Sequence, residues 1–362
     1  MAHHIDEEFD SAIRFKGAPE SWHKLEEISN QPITRIDQMP KIACPIVLEP
    51  VKLPDNYVMA GNSCKNFIVA KHPHRNVVIT TASDNYVPFG NDELFEQVME
   101  AFARHNIPAE LSFALTMDRM SKISYCFQLR DHKEFFVGTD DAHQLYFNVY
   151  GGHDKTLGVN LFGSVVRTVC YNTVQLALRN QRYMMDAKFF HDQKGKETFK
   201  ELPTLIEATL HHRTAYSTFA EQLGNCKSIT LEQAKVIALQ MLDSMKSSVG
   251  KDVVSTQTVN AAEAIANLFK NGEGNNGHTM YDFWNGVTQY FTKGDGSGKD
   301  AKTPEKAYNK MVSADFGNAA SKKTAIMRGL QRPSGDVISD DEIDNLIKKG
   351  EKLLREHELA KA

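Results

Sequence analysis

The chain lacks most of the residue patterns that announce a chemistry. Five cysteines, Cys44, Cys64, Cys126, Cys170 and Cys226, are scattered through 362 residues. Their number is odd and no two form a CxxC pair, so neither a disulfide framework nor a thiolate zinc site is expected. Reduced thiols make the cytoplasm the expected compartment. No stretch approaches the roughly 18 consecutive apolar residues of a membrane span. The acidic start, MAHHIDEEFD, has no apolar core of a secretory signal.

Nucleotide and metal patterns are missing as well. GxxxxGKS/T is absent, and Gly151-Gly152 lacks the rest of a dinucleotide fingerprint. The GDGSG stretch at 294–298 reads as a linker, and no acidic calcium loop of the DxDxDG type occurs. His72 and His74 in KHPHR, and His211 and His212 in HHR, lack the i, i+4 spacing with glutamate of zinc hydrolases. They read as surface histidines. Cys170, in RTVCYNT, stands at an expected helix start, which can lower a thiol pKa. Val165, Val166 and Val169 surround it with apolar bulk, so it reads as a packing cysteine. No cofactor, metal ligand or catalytic residue is expected, and the chain does not read as an enzyme. A minor reading keeps one polar pocket open, His153-Asp154 beside Cys170 and Asn172.

What is present is a globular mixture, 41% hydrophobic and 24% charged, long enough to bury a core without staples. Residues 1–40 are polar and read as an N-terminal arm. Residues 41–200 read as an α+β core. Ile46–Val51, Phe67–Ala70 and Val77–Thr80 are strand-like, and Asn91 caps a helix with an apolar stripe of Leu94, Phe95, Val98, Met99 and Phe102. Antiparallel strands are expected at 110–117, 122–129, 144–149 and 157–162. A helix is expected from Val165 to about Arg182. The fold class is therefore α+β, an antiparallel sheet packed with helices in a helix–strands–helix order, followed by a mainly helical C-terminal half.

Residues 201–335 read as helical. Thr230 with Gln233 forms a capping box, Thr258 opens a helix closed by Asn271-Gly272, and Thr303-Pro304-Glu305 starts another. Residues 336–362 hold an amphipathic helix capped by Ser339 and Glu342, with Ile343, Leu346, Ile347, Leu353 and Leu354 as its stripe.

Charge is the remaining signal. The formal net charge of −4 gives no overall attraction to nucleic acid, so any such binding must rest on local patches. One basic cluster holds Lys155, Arg167, Arg179, Arg182, Lys188, Lys194, Lys196 and Lys200, near Tyr171, Tyr183, Phe189 and Phe190. On the expected helix, Arg179 and Arg182 are three apart and share a face. A second cluster includes Lys322, Lys323 and Arg328. Lysine and arginine neutralise phosphates and aromatic rings stack bases, the combination that single-stranded DNA binding requires. A solvated charged surface over ordinary core aromatics is the competing reading.

Several segments resemble one family, phage/plasmid-like proteins carrying the domain of unknown function 932. Ser21-Trp22-His23 is similar to its PWHGLG landmark, with serine for proline and with Lys24 and Glu26 for the glycines. Ser83-Asp84-Asn85-Tyr86-Val87-Pro88 followed by Asn91-Asp92-Glu93-Leu94-Phe95 resembles SDxYxPVQNxELF. Gly152-His153-Asp154-Lys155-Thr156 resembles SHDGS, with lysine for glycine. Val166–Thr173 resembles xRVVCxNT, Phe283–Tyr290 resembles xNAVTxY, and Phe316-Gly317 matches a late FG element. The landmarks stand in the family's order along nearly the whole chain.

The resemblance implies a gene of a phage, plasmid or other mobile element, and brings no assigned chemistry. An antiparallel sheet followed by a helix is also similar to the core of single-strand annealing recombinases, a fold-level analogy. The function expected is single-stranded DNA binding and annealing without hydrolysis, by a homo-oligomer that forms a ring. The expected phosphate contacts are Lys155, Arg167, Arg179 and Arg182, with Lys322 and Lys323 as outer contacts and Tyr171 stacking a base. Arg167 has a second reading as a structural residue bonded to carbonyls or to Asp154. The alternative function is a protein-interaction factor, a host-defence inhibitor or assembly protein, using the amphipathic C-terminal helix.

Overall fold

The computed structural model of the chain describes residues 8, 10–16, 27–52, 65–83, 85–129, 135–137, 141–155, 158–167, 172–175, 186–198, 202–245, 254–293 and 318–360. They divide into two compact units. The first comprises 1–133, 145–164 and 184–210, and the second 134–144, 165–183 and 211–362.

The first unit is built on an antiparallel meander. Strands β6 (Ala109–Met117), β7 (Lys122–Leu129), β9 (Asp141–Gly152) and β10 (Val159–Arg167) are neighbours in that order. In β7 the buried residues Ile123, Tyr125, Phe127 and Leu129 alternate with half-buried ones, the period of 2 that a strand dictates. Helix α1 (Asn91–Arg104) lays Leu94, Phe95, Val98 and Phe102 onto this unit's core. Phe95 meets Tyr125 and Phe127, and Phe102 meets Phe127 and Phe147, with ring centroids 5.5–5.8 Å apart.

The polar lead-in is partly core rather than arm. Strand β1 (Ala12–Phe15) pairs antiparallel with β6, and β2 (Glu27–Ser29) adds parallel to β1. Ile33 is fully buried and bridges to Leu111. Its apolar residues are spaced too widely for a periodic signal, yet Ala12, Ile13 and Ile33 are buried on the sheet.

Strands β3 (Ile46–Pro50), β4 (Asn66–His72) and β5 (Arg75–Ala82) form a separate antiparallel sheet. Ile46, Ile68, Ala70, Val77 and Ala82 close a small core with Cys44 and Met120. Burial pushes the Cys44 thiol up to about 12, so it is an inert packing group.

Where a helix was expected from Val165, the residues described between 165 and 175 are in strands. β10 runs through Arg167, and β11 (Asn172–Gln175) is a strand. Val159, Val165, Val166 and Val174 are β-branched, and their stiff side chains favour the pleated surface. Arg179 and Arg182, expected to share a helical face, lie outside the described residues. After β12 (Asp186–Phe189), which pairs with β10, the chain forms the short helix α2 (Gln193–Thr198) and then α3 (Leu202–Asn225).

The second unit holds β8 (Phe135–Val137) and β11 and is otherwise mainly helical. α4 (Leu231–Ser244), α5 (Thr256–Asn271), α6 (Met280–Lys293), α7 (Asn318–Gly329) and α8 (Asp340–Leu359) pack on one another. The capping boxes at Thr230/Gln233 and Ser339/Glu342 form as expected. Ser255, rather than Thr258, caps α5, its hydroxyl accepting from Thr258 N. α6 is buried on every face from Met280 to Gln289. Its one carboxylate there, Asp282, accepts hydrogen bonds from the backbone N–H groups of Asn276, His278 and Thr279 and from the Thr279 hydroxyl. α8 spends its apolar stripe within its own unit. Ile343 and Ile347 are buried, and Gly350 lies against the backbone of Val236 in α4. The expected Thr303-Pro304-Glu305 helix start lies outside the described residues.

Candidate functional site

In the first unit, polar residues from three distant stretches of chain meet at one buried point. The start of α1 contributes Asn91, whose side chain was expected to cap the helix. Gly90 is the N-cap instead, with φ −60° and ψ 147°. Asn91, fully buried, turns inward. Its Nδ2 donates to Ile42 O at 3.3 Å, so its carbonyl Oδ1 faces His153 Nε2 at 3.1 Å. An amide oxygen only accepts, so Nε2 carries the proton. His153 Nδ1 is then an acceptor, and the Tyr86 hydroxyl donates to it at 3.0 Å. The hydroxyl of Tyr125 donates to Asn91 O at 2.9 Å, and His153 N donates to Ser121 O at 2.7 Å.

His191 completes the cluster from the stretch before α2. Its ring stacks on Tyr86 at 5.1 Å and tilts over His153 at 4.9 Å. Phe89 meets it edge-on at 5.6 Å. His191 Nδ1 accepts from Phe89 N at 3.4 Å, and its carbonyl accepts from Val87 N at 2.9 Å. The chain between Tyr86 and Asn91, the end of β9 and the segment after β12 are thus pinned together.

Electrostatics keep the cluster neutral. Burial, and then the neighbouring His191, hold His153 well below the usual imidazole range. Burial brings His191 down to about 4, against weaker opposing contributions from Gly152, Asp192 and Val87. Burial, reinforced by Asp154, raises the Tyr86 phenol. The phenol proton therefore stays on Tyr86 rather than passing to His153. The arrangement supplies fixed hydrogen bonds, not an activated nucleophile.

The surface around this cluster carries exposed lysines and an exposed aromatic residue. Lys155 is exposed two residues after His153, its Nζ 3.5 Å from Thr81 Oγ1. Phe190, next to His191, is 64% exposed. Lys194 is exposed just beyond it, while Lys196 pairs with Glu93 at 2.8 Å and lies 5.9 Å from the Phe89 ring centroid. Acids stand among them. Asp154 faces Lys122 at 3.5 Å, Asp192 accepts from Gly195 N at 2.6 Å, and Glu197 accepts from Gln193 at 2.9 Å.

Of the residues expected from the sequence, Lys155 stands at this surface. Arg167 is the last residue of β10, and its side chain lies outside what the structure describes, as do Tyr171, Arg179 and Arg182. Lys322 and Lys323 belong to α7 in the second unit. Lys322 is exposed, but Lys323 is only 3% exposed, which corrects its assignment as an outer contact. The helix turns its neighbour outward and Lys323 inward, about 100° away. Tyr86, Asn91 and His191 had no assigned site role in the sequence. Two of them sit in the segment resembling SDxYxPVQNxELF and His153 in that resembling SHDGS, so the two landmarks meet through Asn91, His153 and Tyr86.

No group of three or more histidine, cysteine or acidic residues among those described is placed to hold a metal ion. No helix among them is long and apolar enough to cross a membrane. No curated protein and no solved structure matches the chain. The model of one family, the domain of unknown function 932 (DUF932), matches residues 78–315, which include Tyr86, Asn91, His153 and His191, and the chain belongs to that family.

Proposed function

We propose that the protein binds single-stranded DNA and brings complementary strands together for annealing, with no cofactor and no hydrolysis. The observation that carries this reading is that exposed Phe190 directly precedes His191 and exposed Lys155 lies two residues after His153, the two histidine rings being 4.9 Å apart, with exposed Lys194 three residues after His191. An exposed ring stacks any base, at about 1–3 kcal/mol per base, and lysines neutralise the adjacent phosphates. The buried cluster ties together the segments that carry these residues, and a tied scaffold lowers the ordering cost of binding. Base pairing supplies the free energy of annealing, so no chemical step is required. Oligomerisation belongs to the proposal, because copies side by side on one strand present an extended run of bases.

Fluorescence anisotropy of a labelled oligodeoxythymidine, titrated with the full chain at several salt concentrations, tests it. Binding that is tightest at low salt and weakens about tenfold in Phe190→Ala is the expected result. Absence of binding at low salt rejects the proposal. Mixing two complementary labelled strands then reads annealing directly, without nucleotide triphosphate.

A further inference from the structure

One end of the first unit's sheet concentrates backbone strain. Five non-glycine residues among those described have positive φ, and four of them stand here: Asp118 (52°), Arg119 (58°), Met120 (62°) and Lys155 (69°). The fifth, Asn106, ends α1 and is a residue type that tolerates this conformation. The first three form the β6–β7 turn, and Lys155 follows β9. β7 and β9 are paired with Lys122 opposite Gly152, so both turns project from the same sheet end. His153 N donates to Ser121 O at 2.7 Å, and Lys122 Nζ reaches Asp118 at 2.6 Å and Asp154 at 3.5 Å.

The strained turn is clamped from a distance. Asp10, 6% exposed, accepts from Arg119 N at 3.0 Å and from Met120 N at 2.7 Å, one bond to each carboxylate oxygen. Met120 is fully buried and plugs the small core of β3, β4 and β5. Glycine or asparagine closes such a turn without the clash of a Cβ in the left-handed region. Here Asp118 and Arg119, the two positions before the buried Met120, carry charge, and Arg119 and Lys155 are exposed. Strain held in place by surrounding structure clusters where geometry serves a function. The acids face inward: Asp10 is spent on backbone N–H groups, and Asp118 and Asp154 share Lys122.

We infer that this pair of turns is a preorganised phosphate seat for the DNA backbone, with Arg119 and Lys155 as its contacts and Asp10 as a positioning residue. The inference rests on the single-stranded DNA reading above and adds Arg119, which the sequence did not single out.

Stability and binding move in opposite directions if it holds, and the full chain tests it. In Lys155→Gly and in Arg119→Gly, relief of the left-handed Cβ raises Tm by about 1–3 °C. Each also weakens oligodeoxythymidine binding, and each lost phosphate contact lowers the slope of log affinity against log salt by about 0.7. Lys155→Ala keeps the strain and loses the charge, so it matches Lys155→Gly in slope without the gain in Tm. Lys155→Arg retains the slope. An unchanged slope in both glycine variants, or a fall in Tm in both, overturns the inference. The two readings separate cleanly. If the wild type does not bind the oligonucleotide, the DNA reading itself fails. If the wild type binds and Phe190→Ala weakens it while Arg119 and Lys155 variants do not, only the phosphate seat is lost.

Discussion

His153 has both ring nitrogens committed, one to Tyr86 and one to Asn91, and no exposed surface. His153→Ala leaves the Asn91 amide oxygen and the Tyr86 hydroxyl without this partner, and a buried polar group so stranded costs about 1–3 kcal/mol. Urea denaturation should show a stability loss of about 3 kcal/mol for the pair, with an unchanged m-value. The same site sets a pH dependence. His191 titrates near 6.5 when unfolded and about 4 when folded, so above 6.5 it is neutral in both states and contributes no dependence. Between 6.5 and about 4 the unfolded chain takes up a proton that the folded chain excludes, and stability falls as pH falls. His153 acts in the same direction. A His191→Gln variant should show a flatter stability profile across that window than the wild type, measured by denaturation at stepped pH. An equal slope in the two proteins would rule out His191 as a contributor. Little of this was legible from residues alone. Asn91 sits where a cap is expected and was read as one, because a capping asparagine and a buried amide look identical in sequence. His153, Tyr86 and His191 are joined only by long-range contacts that no local pattern encodes.

Elements whose signal is local were the most legible. The capping boxes at Thr230 and Ser339 follow from side chains that satisfy backbone N–H groups three residues on. The alternation in β7 and the stripe of α1 follow from period alone. The 165–182 region failed for a physical reason. Val165, Val166 and Val169 fit a buried strand as well as a buried helix, and length and spacing did not separate them. The amphipathic stripe of α8 was visible, but not its partner. That partner is α4, and the approach is close because Gly350 has no side chain: a Cβ there would collide with the carbonyl of Val236. Gly350→Ala should therefore push the two helices apart and cost about 1–3 kcal/mol, the range for overpacking a core. Chemical denaturation checks it, and a neutral result would mean that α8 shifts along α4 at no cost. Gly286 of α6 stands in a like relation to Phe269 N of α5, where a Cβ would lie at 2.8 Å.

At the scale of the whole molecule, the net charge of −4 sets the terms for any encounter with nucleic acid. Attraction over long distances is weak, and the total charge does not favour indiscriminate binding. On the proposed reading, affinity comes from a local surface of exposed Lys155, Lys194 and Phe190 on the first unit. A protein of this kind should bind single strands in preference to duplex, because a stacking ring needs bases that are not already paired. The α+β class and the helical C-terminal half were readable from the chain. The inclusion of residues near Ile13 and Ile33 in the first unit was not, since a β-strand four residues long carries too little pattern to stand out. The most direct test of the central claim is anisotropy of labelled oligodeoxythymidine with the wild type and Phe190→Ala, across a salt series and against a duplex of equal length. The account predicts single-strand binding that falls linearly with the logarithm of salt, exceeds duplex binding, and weakens about tenfold when the ring is removed. No binding at low salt, or binding indifferent to Phe190 and equal for duplex and single strand, would contradict it.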